Sequence, residues 1–210
     1  GSGQRSEFDI SLDRSLVNKV FTGSDGLRLN GRVGLKSKLS STSVVKISAY
    51  SAFRVPTLNE LYRPFRVGND ITEANASLQN ERLLGVEVSS VYSSDTVKIN
   101  STLFHNIISD PVLNVTLSNA SGFNREFGVF VPPGGSLRQR RNVRGISAWG
   151  LEVDSSYTVS NSVSAYFSYL YTNPTLRKDS NFPQLDKKIL AQVAKHQGMA
   201  SFRKRFDIGS

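Results

Sequence analysis

The chain has no cysteine, and that removes several kinds of chemistry at once. It has no disulfide framework, no thiolate metal site and no cysteine nucleophile. Histidine is nearly as scarce. His105 and His196 lie far apart, and neither has a second ligand at motif spacing, so a metal centre, which needs clustered ligands, is not expected. No apolar run approaches the ~20 residues of a transmembrane helix, which excludes a helical membrane protein. Nothing in the opening residues reads as a signal peptide, and Gly-Ser-Gly reads as an arbitrary start. A membrane β-barrel survives these exclusions, because its alternating strands stay modest in average hydropathy. Acidic residues are outnumbered, 17 against 26 Lys and Arg, for a net charge of +9 over 210 residues. The length suits one large β domain or two small ones.

What the chain does have is alternation. Val33, Leu35 and Leu39 oppose Arg32, Lys36 and Lys38; Val97, Ile99 and Leu103 oppose Lys98, Asn100 and Thr102. Trp149, Leu151, Val153 and Tyr157 oppose Gly150, Glu152, Asp154 and Ser156, and Val163, Ala165, Phe167, Tyr169 and Tyr171 share one face. Serine, threonine and aromatic residues are plentiful and good helix formers few. The pattern predicts an all-β fold of about eight strands, over 5–13, 31–39, 44–53, 85–92, 96–108, 144–157, 163–173 and 197–206.

The connections alternate in length. Ser40–Ser43, Ser93–Asp95 and Thr158–Ser162 are short; Arg14–Asn30, Arg54–Leu84, Ser109–Val143 and Asn173–His196 are long. Tight turns at one end and long loops at the other describe an outer-membrane barrel, with Trp149 at the long-loop end of its strand and Tyr157 and Tyr92 at the short-turn end, as in two aromatic girdles. The competing reading is a soluble β-sandwich whose aromatic face is its core. Lys36, Lys46, Lys98, Glu87, Glu152 and Asp154 all lie on the polar face, which is a lumen in one reading and a solvated surface in the other; a dry core would be too costly for them.

One stretch interrupts the pattern. Phe-Arg-Val-Pro-Thr-Leu-Asn-Glu-Leu-Tyr-Arg-Pro-Phe (53–65) ends a strand on Pro56 and continues as a short helical turn predicted to pack Leu58, Leu61 and Tyr62. Proline removes a ladder donor, so this is at least a strand-terminating cap; the functional reading is a loop that reaches a ligand.

The segment 48–70, with Phe53, Arg54, Pro56, Leu61 and Tyr62, resembles one found in TonB-dependent outer-membrane receptors, where an aromatic-Arg-x-Pro step leads to the extracellular rim. Three further stretches follow in that family's order: Asn75, Leu78 and Glu81 before the Gly85-x-Glu87 strand; Asn142 before Gly150-Leu151-Glu152; and Leu185, Lys188, Leu190, Val193, His196 and Gln197 near the end. Ala76, Asn80 and Ala194 stand where the family has proline. The resemblance covers about residues 31–206. It implies antiparallel, up-and-down strands of a transmembrane barrel that is incomplete here, an open curved sheet, since such barrels have about 22 strands. It further implies that residues 1–210 are part of that domain, from its C-terminal half, with the plug and TonB-contacting box absent.

Two loops concentrate arginine: Arg54, Arg63, Arg66 and Arg82 in one, and Arg125, Arg138, Arg140, Arg141 and Arg144, near Phe127 and Phe130, in another. Guanidinium groups bind carboxylate and phosphate bidentately. Arg63, Arg66, Arg125, Arg138, Arg140 and Arg141 are therefore candidate ligand contacts, against the plainer reading of solvated arginines that meet lipopolysaccharide phosphates. No nucleic-acid fold signature accompanies the Gly-Gly-Ser-Leu-Arg-Gln-Arg-Arg stretch, so nucleic acid is not an expected partner. Pro-Pro-Gly-Gly is loop punctuation rather than a phosphate cradle, and no nucleophile–base–acid set suggests an enzyme. Leu185, Ile189 and Val193 have helical spacing, for a short helix or part of a long connection. The expectation is an outer-membrane receptor of a Gram-negative bacterium for TonB-energised uptake of a scarce ligand, such as a ferric siderophore, cobalamin or a glycan. Its further partners are the TonB complex, acting through a plug, and lipopolysaccharide and outer-membrane lipid; no cofactor is expected. The alternative is a soluble or cell-surface β-sandwich that binds glycans or proteins.

Overall fold

A computed structural model describes residues 27–160, 162–183, 186, 188–190 and 193–206. The elements, in order, are β1 (Arg32–Lys38), β2 (Ser43–Arg54), α1 (Leu58–Tyr62), β3 (Phe65–Val67), β4 (Asp70–Glu73), β5 (Glu81–Ser93), β6 (Val97–Ser109), β7 (Val112–Ser118), β8 (Gly122–Asn124), β9 (Val129–Val131), β10 (Leu137–Asn142), β11 (Gly145–Ser160), β12 (Val163–Leu176) and β13 (His196–Lys204). The long strands form one open antiparallel sheet in the order β1-β2-β5-β6-β11-β12-β13, each beside its neighbour along the barrel path. Seven of the eight expected strands are thus in place; the expected strand over 5–13 lies outside the described residues. β5 starts at Glu81, earlier than expected, because Arg54 and Glu81 still pair. β12 runs on through Pro174. Thr172 donates its N–H to Lys195 O, so Pro174 turns its missing donor to that same side, beyond the end of β13, where a ladder proline is tolerated.

The register divides the side chains as the alternation requires. Val33, Ile47, Val88, Leu103, Leu151 and Phe167 fall on one face, and Lys36, Lys46, Glu87, Lys98, Glu152 and Asp154 on the other. The apolar face is uncovered: Leu84 is 63% exposed, Leu103 54% and Trp149 45%. A sandwich would bury that face against a second sheet, and none covers it among the described residues. Trp149 and Tyr157 are eight residues apart, about 26 Å along the strand. With strands tilted by roughly 40° that is about 20 Å along a barrel axis, room for a girdle at each edge of an apolar band.

The buried core sits at the long-loop end instead. Val115, Val143, Ile146 and Leu176 are buried there, with Ile108, Leu113, Leu117, Phe182 and Leu190 packed around them. The long loops are not structureless. β3, β4, β10 and β7 form a second, four-stranded sheet in which β4 and β10 run parallel, and β8 and β9 form a separate hairpin. The helical spacing expected from Leu185 falls partly outside the described residues of the last connection, where Ile189 makes a single bridge to Thr175.

Candidate functional site

The rim grows from the end of β2. Arg54 leaves the strand on the polar face and is gripped from two sides: Nη1 donates to both Glu60 carboxylate oxygens (3.2 and 2.9 Å), and Nη2 to Glu81 Oε1. Glu81 Oε1 also accepts the Val112 N–H at 2.8 Å. One carboxylate therefore joins β2, β5 and the start of β7. Pro56 is buried, and Thr57 caps α1 in a reciprocal capping box with Glu60. α1 does not cover the rim with Leu58, which is 75% exposed; the polar clamp on Glu60, rather than apolar packing, fixes the turn. Leu61 is half-buried, while Phe53 and Tyr62 remain exposed.

Two asparagines join the loops. Asn75 Nδ2 donates to Arg140 O at 2.9 Å, while its Oδ1 accepts the Ser77 N–H. Asn142 Nδ2 donates to Gln79 O (3.0 Å) and Asp110 O (2.6 Å), and its Oδ1 accepts the Gln79 N–H at 2.8 Å. Asp110 holds φ 55° in the β6–β7 turn, a conformation that Asp tolerates better than most residues, and that turn aims its carbonyl at Asn142.

The expected ligand arginines divide into two groups. Arg138 Nη2 bonds Asp70 Oδ2 at 3.0 Å, and Asp70 Oδ1 accepts the Ser136 N–H and hydroxyl. Arg140 Nη1 donates to Asn59 O (2.7 Å) and Arg63 O (3.3 Å), meeting the carbonyl end of α1, and its guanidinium lies 4.9 Å from the Phe65 ring centre. Arg141 Nε bonds Gln139 Oε1 at 2.9 Å, and its guanidinium sits 6.0 Å from the Phe182 ring. Arg138 ties β10 to β4 and Arg140 ties it to α1, while Arg141 bonds within β10 and leans on Phe182. Arg66 turns back to Gly68 O (2.7 Å). Arg63 and Arg125 are exposed, and their side chains make no hydrogen bond or ion pair among the described residues. Arg125 lies in the turn between β8 and β9, where Phe123 (64% exposed) and Phe130 (56%) face each other across the hairpin. Sequence reading singled out Phe130 but not Phe123; their pairing depends on the hairpin register.

Gly85 and Gly150 have a packing role that sequence reading did not detect. Gly85 pairs with Tyr50 on one side and Asn106 on the other, and a Cβ there would lie 2.4 Å from the Tyr50 ring. Gly150 pairs with Phe104, and its Cβ would lie 2.4 Å from that ring. In both places an aromatic ring from the preceding long strand lies over the glycine. Tyr50 OH also reaches Glu87 and Asn106, 2.9 Å from each. Glu152, the acid of the second Gly-x-Glu, is exposed.

Burial alone would raise the Glu60 carboxyl. The bonds from Arg54 and from the Thr57 N–H and hydroxyl outweigh it and hold the group below its usual value. Bonds from Ser136, opposed by some burial, together with the charge of Arg138 likewise depress Asp70, whereas burial raises Glu73. Depressed carboxylates stabilise the fold above their unfolded value, about 4, and that contribution is lost as pH falls through the folded value. Glu73 runs the other way, favouring the fold at low pH and losing that advantage as pH rises. Two clamping groups oppose one, so acidification below about pH 4 should open the rim. Amide exchange over 57–63 is expected to speed up there before exchange in β5 and β6 does; a rise in all of them together would refute a local latch.

Among the described residues, no group of three potential metal ligands is present. Comparison with known proteins gives a consistent result. A family described as "TonB dependent receptor-like, beta-barrel" matches residues 5–209. Among solved structures, the copper transporter OprC superposes with a TM-score of 0.62 at 18% identity, over 85% of this chain and 24% of that one. The siderophore receptor PirA from Pseudomonas aeruginosa gives 0.59 at 16%, over 72% and 29%. The FrpB iron transporter from Neisseria meningitidis (F3-3 variant) gives 0.56 at 21%, over 86% and 25%. At these identities the likeness is one of fold. The chain spans about a quarter of the length of each. No curated protein matches it.

Proposed function

From the premise that the chain belongs to the TonB-dependent receptor β-barrel family, we propose that it forms part of the wall and extracellular rim of an outer-membrane receptor that imports a scarce anionic small molecule, a ferric siderophore being the leading candidate. Members of this family are outer-membrane receptors and transporters of Gram-negative bacteria, not enzymes. The observation that carries the reading is the pairing of an uncovered apolar band, suited to lipid, with loops that fold into a rim presenting exposed arginine and phenylalanine. The neighbours' names, a siderophore receptor and metal transporters, support the substrate class. The soluble β-sandwich is not favoured, because nothing among the described residues packs on the apolar face. Energy coupling would come through the TonB complex acting on a plug inside the barrel. Lipopolysaccharide and outer-membrane lipid would surround the band, as Trp149 and Tyr157 at its two edges suggest.

Within this reading the arginines act differently. Arg138, Arg140 and Arg141 position the loops, while Arg63 and Arg125 are available to an anionic ligand, with Phe123 and Phe130 as flat apolar partners. Each charge-assisted contact to a ligand is worth about 1.5–3 kcal/mol, or about one to two orders of magnitude in affinity. Arg125→Ala with Arg63→Ala should therefore cut ferric-siderophore uptake by whole cells at least tenfold with surface display intact. Arg140→Ala should lower uptake only together with protease resistance of the loops. Normal uptake in the Arg63/Arg125 double variant would remove the anionic-ligand assignment.

A further inference from the structure

We propose that Arg82 and Arg177, with the groove beneath Arg82, hold one molecule of lipopolysaccharide on the outside of the wall, by its two phosphates and an acyl chain. This site rests on the outer-membrane reading.

Pairing places the two arginines. At the long-loop end one cross-strand row reads Phe53, Arg82, Ser109 and Gly145, and Arg177 follows, its N–H bonded to Gly145 O at 2.9 Å. Alternation along β5 sets Arg82 on the side of Leu84 and Val86, the apolar face. Charge is almost absent from that face. Among the described residues of the seven strands it has no Asp or Glu, and its one other Lys or Arg is Lys204, at the short-turn end. A cation on the lipid face is costly at the membrane midplane and tolerated near the interface. Gly145 lies four residues beyond Trp149 on β11, about 13 Å along the strand and about 10 Å along a barrel axis at a tilt of roughly 40°. Both arginines therefore stand beyond the aromatic girdle, at headgroup height.

Their spacing specifies the headgroup. Both are exposed, and neither guanidinium makes a hydrogen bond or ion pair among the described residues. A Cβ on Gly145 would meet Arg177 Cδ at 3.2 Å, so the Arg177 stem lies across that glycine toward Ser109 and Arg82. From Arg82 to Arg177 are three ladder steps, about 14 Å between Cα atoms. Guanidinium groups bind phosphate bidentately. A glycerophospholipid offers a single phosphodiester. The lipopolysaccharide anchor offers two phosphates, at opposite ends of a disaccharide that would lie over Ser109 and Gly145. Towards the membrane from Arg82 the face is hollow. A shallow groove of about 560 Å³ runs between β1 and β6, with Ala49 and Ser51 as its floor and Val33, Leu84 and Ile107 as its walls. A cation at the head of an apolar groove fits an amphiphile with an anionic head, and the long-loop side of an outer-membrane barrel faces the leaflet where that amphiphile is lipopolysaccharide.

The test uses the full-length receptor extracted from outer membranes in detergent, scored only as barrels with heat-modifiable gel mobility. Lipopolysaccharide retained per barrel, read from its 3-hydroxy fatty acids, should fall at least tenfold in Arg82→Ala with Arg177→Ala, which removes two charge-assisted contacts. It should fall severalfold in Ala49→Phe, which fills the groove, and stay at the wild-type level in Lys204→Ala. Arg82→Lys with Arg177→Lys should lie between wild type and the double alanine variant, because an ammonium keeps the charge and loses the fork. With delipidated wild type, diphosphoryl lipid A should raise Tm at a concentration at least fivefold lower than monophosphoryl lipid A or phosphatidylglycerol needs. Folded wild-type barrels free of lipopolysaccharide, equal retention in the double alanine variant, or an equal response to phosphatidylglycerol would each overturn the site and leave the outer-membrane reading standing. Absence of the barrel from outer membranes would overturn that reading and the site with it.

Discussion

Gly150→Ala is expected to be among the most damaging single-methyl additions in this wall. The added Cβ would lie 2.2 Å from Tyr171 O and 2.4 Å from the Phe104 ring. The ring can swing aside. The carbonyl cannot, because it belongs to β12, which pairs with β11 from Ile146 to Ser160 on one side and with β13 on the other. Overpacking typically costs about 1–3 kcal/mol, and a backbone obstacle puts this site at about 3 kcal/mol or more. Gly85→Ala is the internal control. Its Cβ would meet the Tyr50 ring at 2.4 Å and Asn106 Oδ1 at 2.5 Å, both side-chain atoms. They can move at the expense of the Tyr50 bonds to Glu87 and Asn106, a loss of about 1–2 kcal/mol. Thermal melting of the full-length receptor in detergent should rank wild type above Gly85→Ala and Gly85→Ala above Gly150→Ala. The reverse order would mean that β12 yields more readily than its two ladders imply.

Asn142→Ala should disconnect the rim while leaving the wall intact. The side chain makes three bonds, two to Gln79 and one to Asp110 O. Losing them from a half-buried site costs about 2–3 kcal/mol, since the Gln79 N–H and two carbonyls lose their partner. Asn142→Asp sharpens the test. It keeps the shape and the acceptor for Gln79 N–H but turns a carboxylate toward two carbonyl oxygens, so it should be no better than alanine. Amide exchange should accelerate in residues 75–80 and 110–112 with β5 and β6 unchanged. If Asn142→Asp behaves as wild type, the amide donor is not what holds the loops.

The wall was legible because its signal is local. A strand with one face in lipid and one in a wet lumen has to alternate, and Val33 against Lys36 or Leu151 against Glu152 shows this within a few residues. Phe53, Arg54, Pro56, Glu81 and Asn142 were legible as a motif, but their joint purpose was not. Arg54 and Glu81 are 27 residues apart, and Asn142 and Gln79 are 63 apart; no period connects them. The arginines show the limit most clearly. Arg138, Arg140 and Arg141 look like an anion site in sequence. Only the parallel pairing of β10 with β4, and the arrival of α1 beside them, puts Asp70 within reach of Arg138 and an α1 carbonyl within reach of Arg140.

The sequence by itself determined the class of the protein: two-faced strands, short turns against long loops, and no chemistry built on thiols or clustered histidines. A period-two pattern depends only on which side of one strand meets water. The tertiary structure decided which charges are engaged and which are available, which glycines make room for a ring, and that the long loops fold into a sheet of their own. Those outcomes depend on register between segments far apart in the chain, and register is settled only when both partners are in place.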